Sequence, residues 1–419
     1  MKIKISKGNT FNREIIIPPS KSLLHRSLIC ASLAEGESTI ENIILSDDVV
    51  ATINCLISLG AKIDVYENKI IVNGINGQRV TKKKIDCKES GSTLRFLIPI
   101  VSLYEKEMII MGKKSLMSRP LDVYKKIYDE QSLEFDLKDD SLRVNGKLKF
   151  GKYIIDGGTS SQFISGLLFV LPLLSDDSSI EIINSFESKA YVDLTIDMLL
   201  KFNIKIEKIG INKFYIKGNQ KYKSANIKVE GDFSQFAFFA VLASFKGPIT
   251  CTGLNHSSLQ ADKKIIEILK NMGSDIESIN NGYIINKSKL KPFKFDISEC
   301  PDLGPILSVC ASLIDGDSTL KNISRLRFKE SDRVIAVKEE LKKCGIDSFD
   351  DDQNYLIRGK GSWNVKEDLI SHNDHRIAMA LVIGALSNNV EVIIDSFEAI
   401  NKSYPTFLID LKIIYEEEH

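Results

Sequence analysis

One segment recurs through the sequence about every 70 residues, and that period constrains the fold more than any single motif does. Each copy starts with small polar residues, runs into an apolar stretch of helical character, and ends in a polar turn and a short strand. The copies are SLLHRSLICASLAEGESTIENI (22–43), STLRFLIPIVSLYEKEMIIMG (92–112), SSQFISGLLFVLPLLSDDSSIEII (160–183), SQFAFFAVLASFKGPITCTGL (234–254), LGPILSVCASLIDGDSTLKNI (303–323) and HRIAMALVIGALSNNVEVIID (375–395). A second segment alternates with the first: ATINCLISLGAKIDV (51–65), LTIDMLLKFNIKIE (194–207), IIEILKNMGSDIE (265–277) and VIAVKEELKKCGIDSF (334–349) place apolar residues at amphipathic-helix spacing. Three of these run through a glycine where a left-handed helix cap is expected. The slot at 122–135 fits less well, and the sixth is cut short to YPTFLIDLKIIYEEEH. Short strand-like stretches follow at 68–74, 214–218, 282–287 and 354–359.

The 419 residues therefore divide into six helix–strand–helix–strand units. Solenoid repeats run to roughly 20–45 residues, whereas a unit this long can support a closed bundle of three. The expectation is an α/β chain of two three-unit domains, with linkers near Ile17-Pro18-Pro19-Ser20 and Val229-Glu230-Gly231-Asp232. Adjacent prolines oppose helix, and Gly-Asp marks a turn.

Charge and composition exclude several classes. Lysine plus arginine and aspartate plus glutamate both number 56, so the chain is neither a strongly basic nucleic-acid binder nor an acidic disordered segment. No apolar run reaches the roughly 18 residues of a membrane span, and the first residues lack the apolar core of a signal peptide. Seven scattered cysteines (30, 55, 87, 251, 300, 310, 344), with no C-x-x-C, read as reduced core thiols. The histidines (25, 256, 372, 375, 419) and cysteines form no zinc-binding spacing. A cytoplasmic protein with neither metal nor cofactor is expected.

The positive charges are not scattered. Basic residues sit beside Ser, Thr, Gly or Asp at recurring points: Lys21 and Arg26 with Ser20 and Ser22, Arg95 after Gly91-Ser92-Thr93, Arg119 after Ser118, Lys329 and Arg333 around Glu330-Ser331-Asp332, Arg376 after Asn373-Asp374-His375, and Lys402 before Ser403. A cation in the first turn of a helix opposes the dipole, but that turn also offers unpaired N–H groups to an anion. Six such loops in a repeat point to a site for more than one phosphate or carboxylate. Lys329 and Arg333, four apart, are expected on one side of a helix. Glu330 is placed either to pair with Arg333 or to move a proton. Asp302 reads as a helix N-cap or as a base, and Gly157–Phe163 (GGTSSQF) as a turn with a serine cap or as an oxygen cradle. The cysteines and His256 read as core or surface residues.

The same stretches, PPSKSLLHRSLICASLAEGES (18–38), ESGSTLRFL (89–97), GGTSSQFISGLL (157–168), ESKAYVDLT (187–195), PDLGPIL (301–307), RFKESDR (327–333) and NDHRIAMA (373–380), resemble in order the enolpyruvyl transferase family of 3-phosphoshikimate 1-carboxyvinyltransferases, or 5-enolpyruvylshikimate-3-phosphate synthases. The resemblance spans essentially the whole chain. It implies two inside-out α/β domains, each of three βαβαββ-type units, closing over an interdomain cleft. One domain is discontinuous (1–19 plus 232–419, the phosphoenolpyruvate side) and the other inserted (20–231, the shikimate 3-phosphate side). It implies transfer of the enolpyruvyl group of phosphoenolpyruvate to the 5-hydroxyl of shikimate 3-phosphate, by a monomer with no membrane or nucleic-acid partner.

By motif, the resemblance assigns Lys21, Ser22, Arg26, Ser160, Ser161, Gln162, Ser188, Tyr191, Asp302, Arg325 and Lys329 to shikimate 3-phosphate. Lys21, Gly91, Arg95, Arg119, Gln162, Arg333, Arg376 and Lys402 fall to phosphoenolpyruvate. Asp302 and Glu330 would be the acid–base pair, with Lys21 a third participant. The family's inhibitor glyphosate competes for the phosphoenolpyruvate subsite near Gly91. The chain departs from the family at Glu89, where many members have asparagine, at Phe96, where many have proline, and at Arg325, where some have asparagine. The related UDP-N-acetylglucosamine enolpyruvyl transferase places Lys-Asn where this chain has Lys21-Ser22 and a cysteine in the loop matching 111–121. Neither feature is present. A catalytically inactive anion-binding relative is disfavoured by the presence together of Lys21, Asp302 and Glu330.

Overall fold

The computed structural model describes residues 1–75, 82–104 and 106–418; His419 lies outside them. Six helices carry the apolar runs of the repeat: α1 (Lys21–Leu33), α2 (Gly91–Val101), α3 (Ser161–Val170), α4 (Phe233–Lys246), α5 (Gly304–Ser312) and α6 (His375–Asn388). Their sequences have no continuous polar stripe, and a helix that is apolar all round must be covered all round. In α5 every residue is buried, and in α1 every residue from Leu23 to Leu33. Serines inside these helices are satisfied locally: the Ser27, Ser244 and Ser308 hydroxyls donate to the Leu24, Ala240 and Gly304 carbonyls. The second segments form half-buried helices, such as Asp47–Leu59, Lys189–Lys201, Ile265–Asn271 and Arg333–Lys343. Gly60 ends the first of them at φ +115°, the left-handed cap expected from its sequence.

Six four-stranded sheets are found among the described residues, and all share one pairing pattern, a parallel pair followed by two antiparallel pairs. In one of them, Lys84–Asp86 pairs parallel with Met108–Met111, which pairs antiparallel with Ser141–Asn145, which pairs antiparallel with Glu134–Leu137. The strands alternate buried and exposed residues, as in Lys69–Asn73, where Ile70 and Val72 face inward. Helices inside and sheets outside invert the usual α/β arrangement.

The chain forms two compact units, Pro19–Val229 and Met1–Pro18 with Glu230–His419. Each holds three sheets. In Pro19–Val229, the last strand, Asn226–Lys228, returns to pair parallel with the first repeat's Glu37–Glu41. In the discontinuous unit the N-terminal arm supplies two strands. Glu14–Ile16 pairs with Ile249–Thr252, and Lys2–Ile5 lies between Val392–Asp395 and Tyr415–Glu418. The truncated sixth segment is thus completed by residues from the other end of the chain.

The Pro19–Val229 core includes Phe96 edge-on to Phe169 at 5.4 Å and Tyr124 edge-on to Phe163 at 5.0 Å. Gly166 makes room for Tyr124, since a Cβ there would lie 2.1 Å from its hydroxyl. That hydroxyl donates to the Arg95 carbonyl at 2.6 Å, fixing the turn that carries Arg95. In the other unit Phe233, Phe236, Phe239, Tyr404 and Phe407 are buried together with Tyr283. All seven cysteines are buried and free.

Candidate active site

In the unit Pro19–Val229, extended Ser20 turns the chain into α1 with Lys21 as its first residue. The Lys21 ammonium meets Asp48 at 2.8 Å, from the first turn of the neighbouring helix. One turn on, Arg26 is 2% exposed. It donates to Thr195 Oγ1 (2.8 Å) and to the Ser22 and Tyr191 carbonyls (2.8 and 3.1 Å), and its guanidinium lies 5.2 Å from the Phe96 ring centroid. These acceptors are neutral, and burial pushes the Arg26 pKa down to about 10. A guanidinium buried among neutral oxygens gains from any anion that reaches it. The Phe96 departure is therefore a packing feature beside that arginine.

At the start of α2, Arg95 Nη1 donates to Gln162 Oε1 at 2.9 Å, while Gln162 Nε2 donates to Ser92 Oγ at 2.8 Å. Gly91 gives Arg119 its place: a Cβ there would stand 2.8 Å from Arg119 Nη1. The buried Nε of Arg119 has no hydrogen-bond partner among the described residues. Glu89 pairs with Lys113 at 2.6 Å. In the GGTSSQF stretch Ser160 caps α3, its Oγ accepting from the Gln162 N–H at 3.4 Å. Ser161 is buried beside it. Ser188 is buried at φ +52° and leads into the helix Lys189–Lys201, where Tyr191 is half-buried.

In the discontinuous unit the hub is Asp302. It does not cap a helix; Cys300 holds the cap position of the short turn Pro301–Leu303. Its Oδ1 accepts from Lys329 (3.1 Å) and Arg333 (2.9 Å), and its Oδ2 from Arg376 (3.0 Å). Arg333, 1% exposed, also donates to Asp374 at 2.8 Å and to Glu330 at 2.7 Å. Arg376 Nη1 is buried without a hydrogen-bond partner among the described residues. Lys402 donates to the Asn373 carbonyl at 2.7 Å. Arg325 lies half-buried in the short turn Ser324–Phe328. His256 is structural, bound to Tyr283 and the Ile279 carbonyl.

The electrostatics follow from this packing. Burial pushes the Asp302 carboxyl up, but Arg376, Lys329 and Arg333 outweigh it and hold the group well below its ordinary value. Burial lowers Lys329, with Asp302 opposing. Asp262, hydrogen-bonded by Ser234, is pushed up to about 6 by burial and by the Asp302 charge.

Two expectations change. Lys329 and Arg333 do not share a helix, because Asp332 caps Arg333–Lys343 and Lys329 is extended (φ −94°, ψ −152°). They converge on Asp302 through the loop instead. Arg119 and Lys402 do not open helices either: Arg119 follows the short helix Lys114–Met117, and Lys402 ends the turn Phe397–Lys402. Sequence reasoning passed over Asp48, Asp374 and Asp262. Asp374 stood inside a quoted motif; Asp48 looked like an ordinary first-turn acid, and Asp262 carries no local signal.

The EPSP synthase (3-phosphoshikimate 1-carboxyvinyltransferase) family model matches residues 5–411. A 3-phosphoshikimate 1-carboxyvinyltransferase of Clostridium acetobutylicum is 47% identical over 414 residues, 97% of this chain and 96% of that protein. The one of Clostridium kluyveri is 44% identical over 402 residues, 95% and 94% of the two chains. The solved EPSP synthase of Acinetobacter baumannii superposes with a TM-score of 0.81 at 25% identity, covering 99% of this chain and 100% of that one.

Proposed function

Since the chain belongs to the EPSP synthase (3-phosphoshikimate 1-carboxyvinyltransferase) family, we propose that the residues described above carry out that family's reaction in the following way. The enzyme transfers the enolpyruvyl group of phosphoenolpyruvate to the 5-hydroxyl of shikimate 3-phosphate, giving 5-enolpyruvylshikimate 3-phosphate and phosphate. The hydroxyl oxygen bonds to C2 of phosphoenolpyruvate as C3 takes a proton. The tetrahedral adduct then loses phosphate from C2 and a proton from C3, restoring the double bond.

Lys21, Ser22, Arg26, Ser160, Ser161, Gln162, Ser188, Tyr191, Arg325 and Lys329 are assigned to shikimate 3-phosphate, with Asp302 at its reacting hydroxyl. Lys21, Gly91, Arg95, Arg119, Gln162, Arg333, Arg376 and Lys402 are assigned to phosphoenolpyruvate. Glu330 and Asp302 move the protons, with Lys21 as a third candidate. Arginines with planar N–H forks suit the carboxylate and phosphate of the donor.

The observation that carries this reading is the gathering of Lys329, Arg333 and Arg376 on Asp302. Without substrate these cations hold the carboxylate ionised and weakly basic. Substrate anions compete for the same N–H groups, and Arg376 carries a further buried donor without a hydrogen-bond partner among the described residues. As the cations turn toward substrate oxygens, Asp302 gains proton affinity and approaches what a base at neutral pH requires. Catalysis then rests on placement and charge stabilisation.

The test is phosphate release by the purified chain without added metal. It should require shikimate 3-phosphate and phosphoenolpyruvate together. Release with UDP-N-acetylglucosamine as acceptor instead would overturn the reading. We place the enzyme in the cytoplasm as a monomer; the seven buried thiols support a reducing compartment, and no helix among the described residues is long and apolar enough to cross a membrane.

A further inference from the structure

We propose that Glu340 is a positioning residue for the anion-binding end of α6, acting through His372. Glu340 is fully buried on the helix Arg333–Lys343. Its carboxylate takes four donations: two from Lys343 Nζ (3.0 and 3.1 Å), one from the Ile370 backbone N–H (2.9 Å) and one from His372 Nε2 (2.8 Å). Glu339, Glu340 and His372 bring ligand atoms within 4.8 Å of one another. The Lys343 ammonium already lies against both Glu340 oxygens, so the group serves as an ion-pair clasp.

What it clasps is an unusual backbone. His372 and Asn373 are consecutive left-handed residues, at φ +53° and +55°. Single residues in this region are uncommon outside glycine, and two in succession persist only where the surroundings hold them. Four contacts do so. Glu340 takes the Ile370 N–H and the His372 ring, Ser371 Oγ accepts from the Asn373 N–H at 3.2 Å, and Ser371 Oγ donates to the Ser396 carbonyl at 2.6 Å.

The pair sets the site residues that follow it. The Asn373 carbonyl accepts from Lys402, Asp374 caps α6 through the Arg376 N–H at 2.9 Å, and Asp374 holds Arg333. A rotation of the 372–373 backbone therefore moves the carbonyl under Lys402 and the first turn bearing Arg376. Among the described residues, the donors to the Glu340 carboxylate are Lys343, Ile370 and His372, none of them assigned to substrate, so its influence is exerted through this turn.

The inference rests on the assignment of Arg376 and Lys402 to phosphoenolpyruvate. Two full-length variants test it. Glu340→Gln leaves one acceptor oxygen for the donors that now converge on the carboxylate. His372→Gly keeps the left-handed backbone accessible and deletes the ring contact, leaving Glu340 with Lys343 and Ile370. Each should raise KM for phosphoenolpyruvate about tenfold, on the scale expected when a binding group is displaced by a fraction of an ångström. KM for shikimate 3-phosphate and kcat should change less than about twofold on the same grounds. Inorganic phosphate binding, followed by calorimetry, should weaken in parallel. Folded variants with wild-type KM and phosphate affinity, losing only melting temperature, would reduce Glu340 to a stability role and overturn the inference. A wild-type chain that binds phosphate but transfers no enolpyruvyl group would sink the transfer reaction; weaker phosphate binding in the variants would then still support the positioning role.

Discussion

Arg376 donates Nη2 to Asp302 Oδ2 at 3.0 Å, joining residues 74 apart in the chain. One residue opens α6 and the other sits in the turn before α5, so the contact ties together corresponding ends of two repeats. With Lys329 and Arg333 on the opposite oxygen, the carboxylate already holds three cationic donors before any substrate arrives.

Asp302→Asn should therefore separate binding from chemistry. The amide keeps one acceptor oxygen but carries no charge, so the cations lose a competitor for external anions. Turnover should fall by about 10²–10⁴-fold, the range of a lost acid–base group. Phosphate affinity measured by calorimetry should hold or increase. Turnover within a few-fold of wild type would remove Asp302 from the proton transfers.

Arg333 should resist conservative replacement. Its fork meets Asp302, Glu330 and Asp374 at once while almost wholly buried. A lysine ammonium is a point charge and spans fewer of these oxygens. Arg333→Lys should destabilise the fold by about 1–3 kcal/mol, the scale for leaving a buried acceptor without its donor. Denaturant unfolding of both proteins gives the difference, and a loss below about 1 kcal/mol, as for an exposed pair, would show the cluster to be solvent-screened.

The six-fold period was legible because each unit must bury a helix that is apolar on all sides, and such runs stand out in any sequence. The strand exchange was not. Ile3 pairs with Ile394, and Thr252 with Ile16, through backbone hydrogen bonds that leave no local periodicity. The basic loops likewise marked the site, but their geometry stayed hidden. Lys329 and Arg333 have helical spacing, yet the capping preference of Asp332 starts the helix after Lys329. Asp262, beside Lys263 and Lys264, looks like a solvated charge; only the fold buries it under Ser234 and near Asp302.

Asp262 should give the protein an unusual pH response. Its pKa is raised in the folded state to about 6, by burial first and Asp302 second. The unfolded chain titrates near the model-peptide value of about 3.9. Between these values the folded protein keeps a proton that the unfolded chain releases, so this contribution to stability is present at low pH and is lost as pH rises through about 6. Asp262→Asn, which stays neutral, should remove that slope. Melting temperatures measured between about pH 4 and about pH 7 would show the wild type losing ground to the variant as pH rises. Parallel curves for the two proteins would mean that Asp262 stays ionised throughout.

Gly91→Ala offers a test confined to the other unit. The new methyl would stand 2.8 Å from Arg119 Nη1 and 3.7 Å from Arg95 Nη1. The nearer atom is the end of a flexible side chain, so the clash is relieved by moving a guanidinium and not the backbone. Gly91 begins α2, where a Cβ is otherwise tolerated, so alanine there should leave the melting temperature within a degree or two, about the effect of a ΔΔG below 0.5 kcal/mol. The displaced Arg119 should raise KM for phosphoenolpyruvate by about tenfold or more. KM for shikimate 3-phosphate should change little, because the contacts of Arg26, Ser22 and Ser188 lie elsewhere in the unit. Steady-state kinetics with each substrate varied in turn measures the split. Equal increases in both KM values would show that Gly91 shapes the whole site, and no increase in either would remove Arg119 from donor binding.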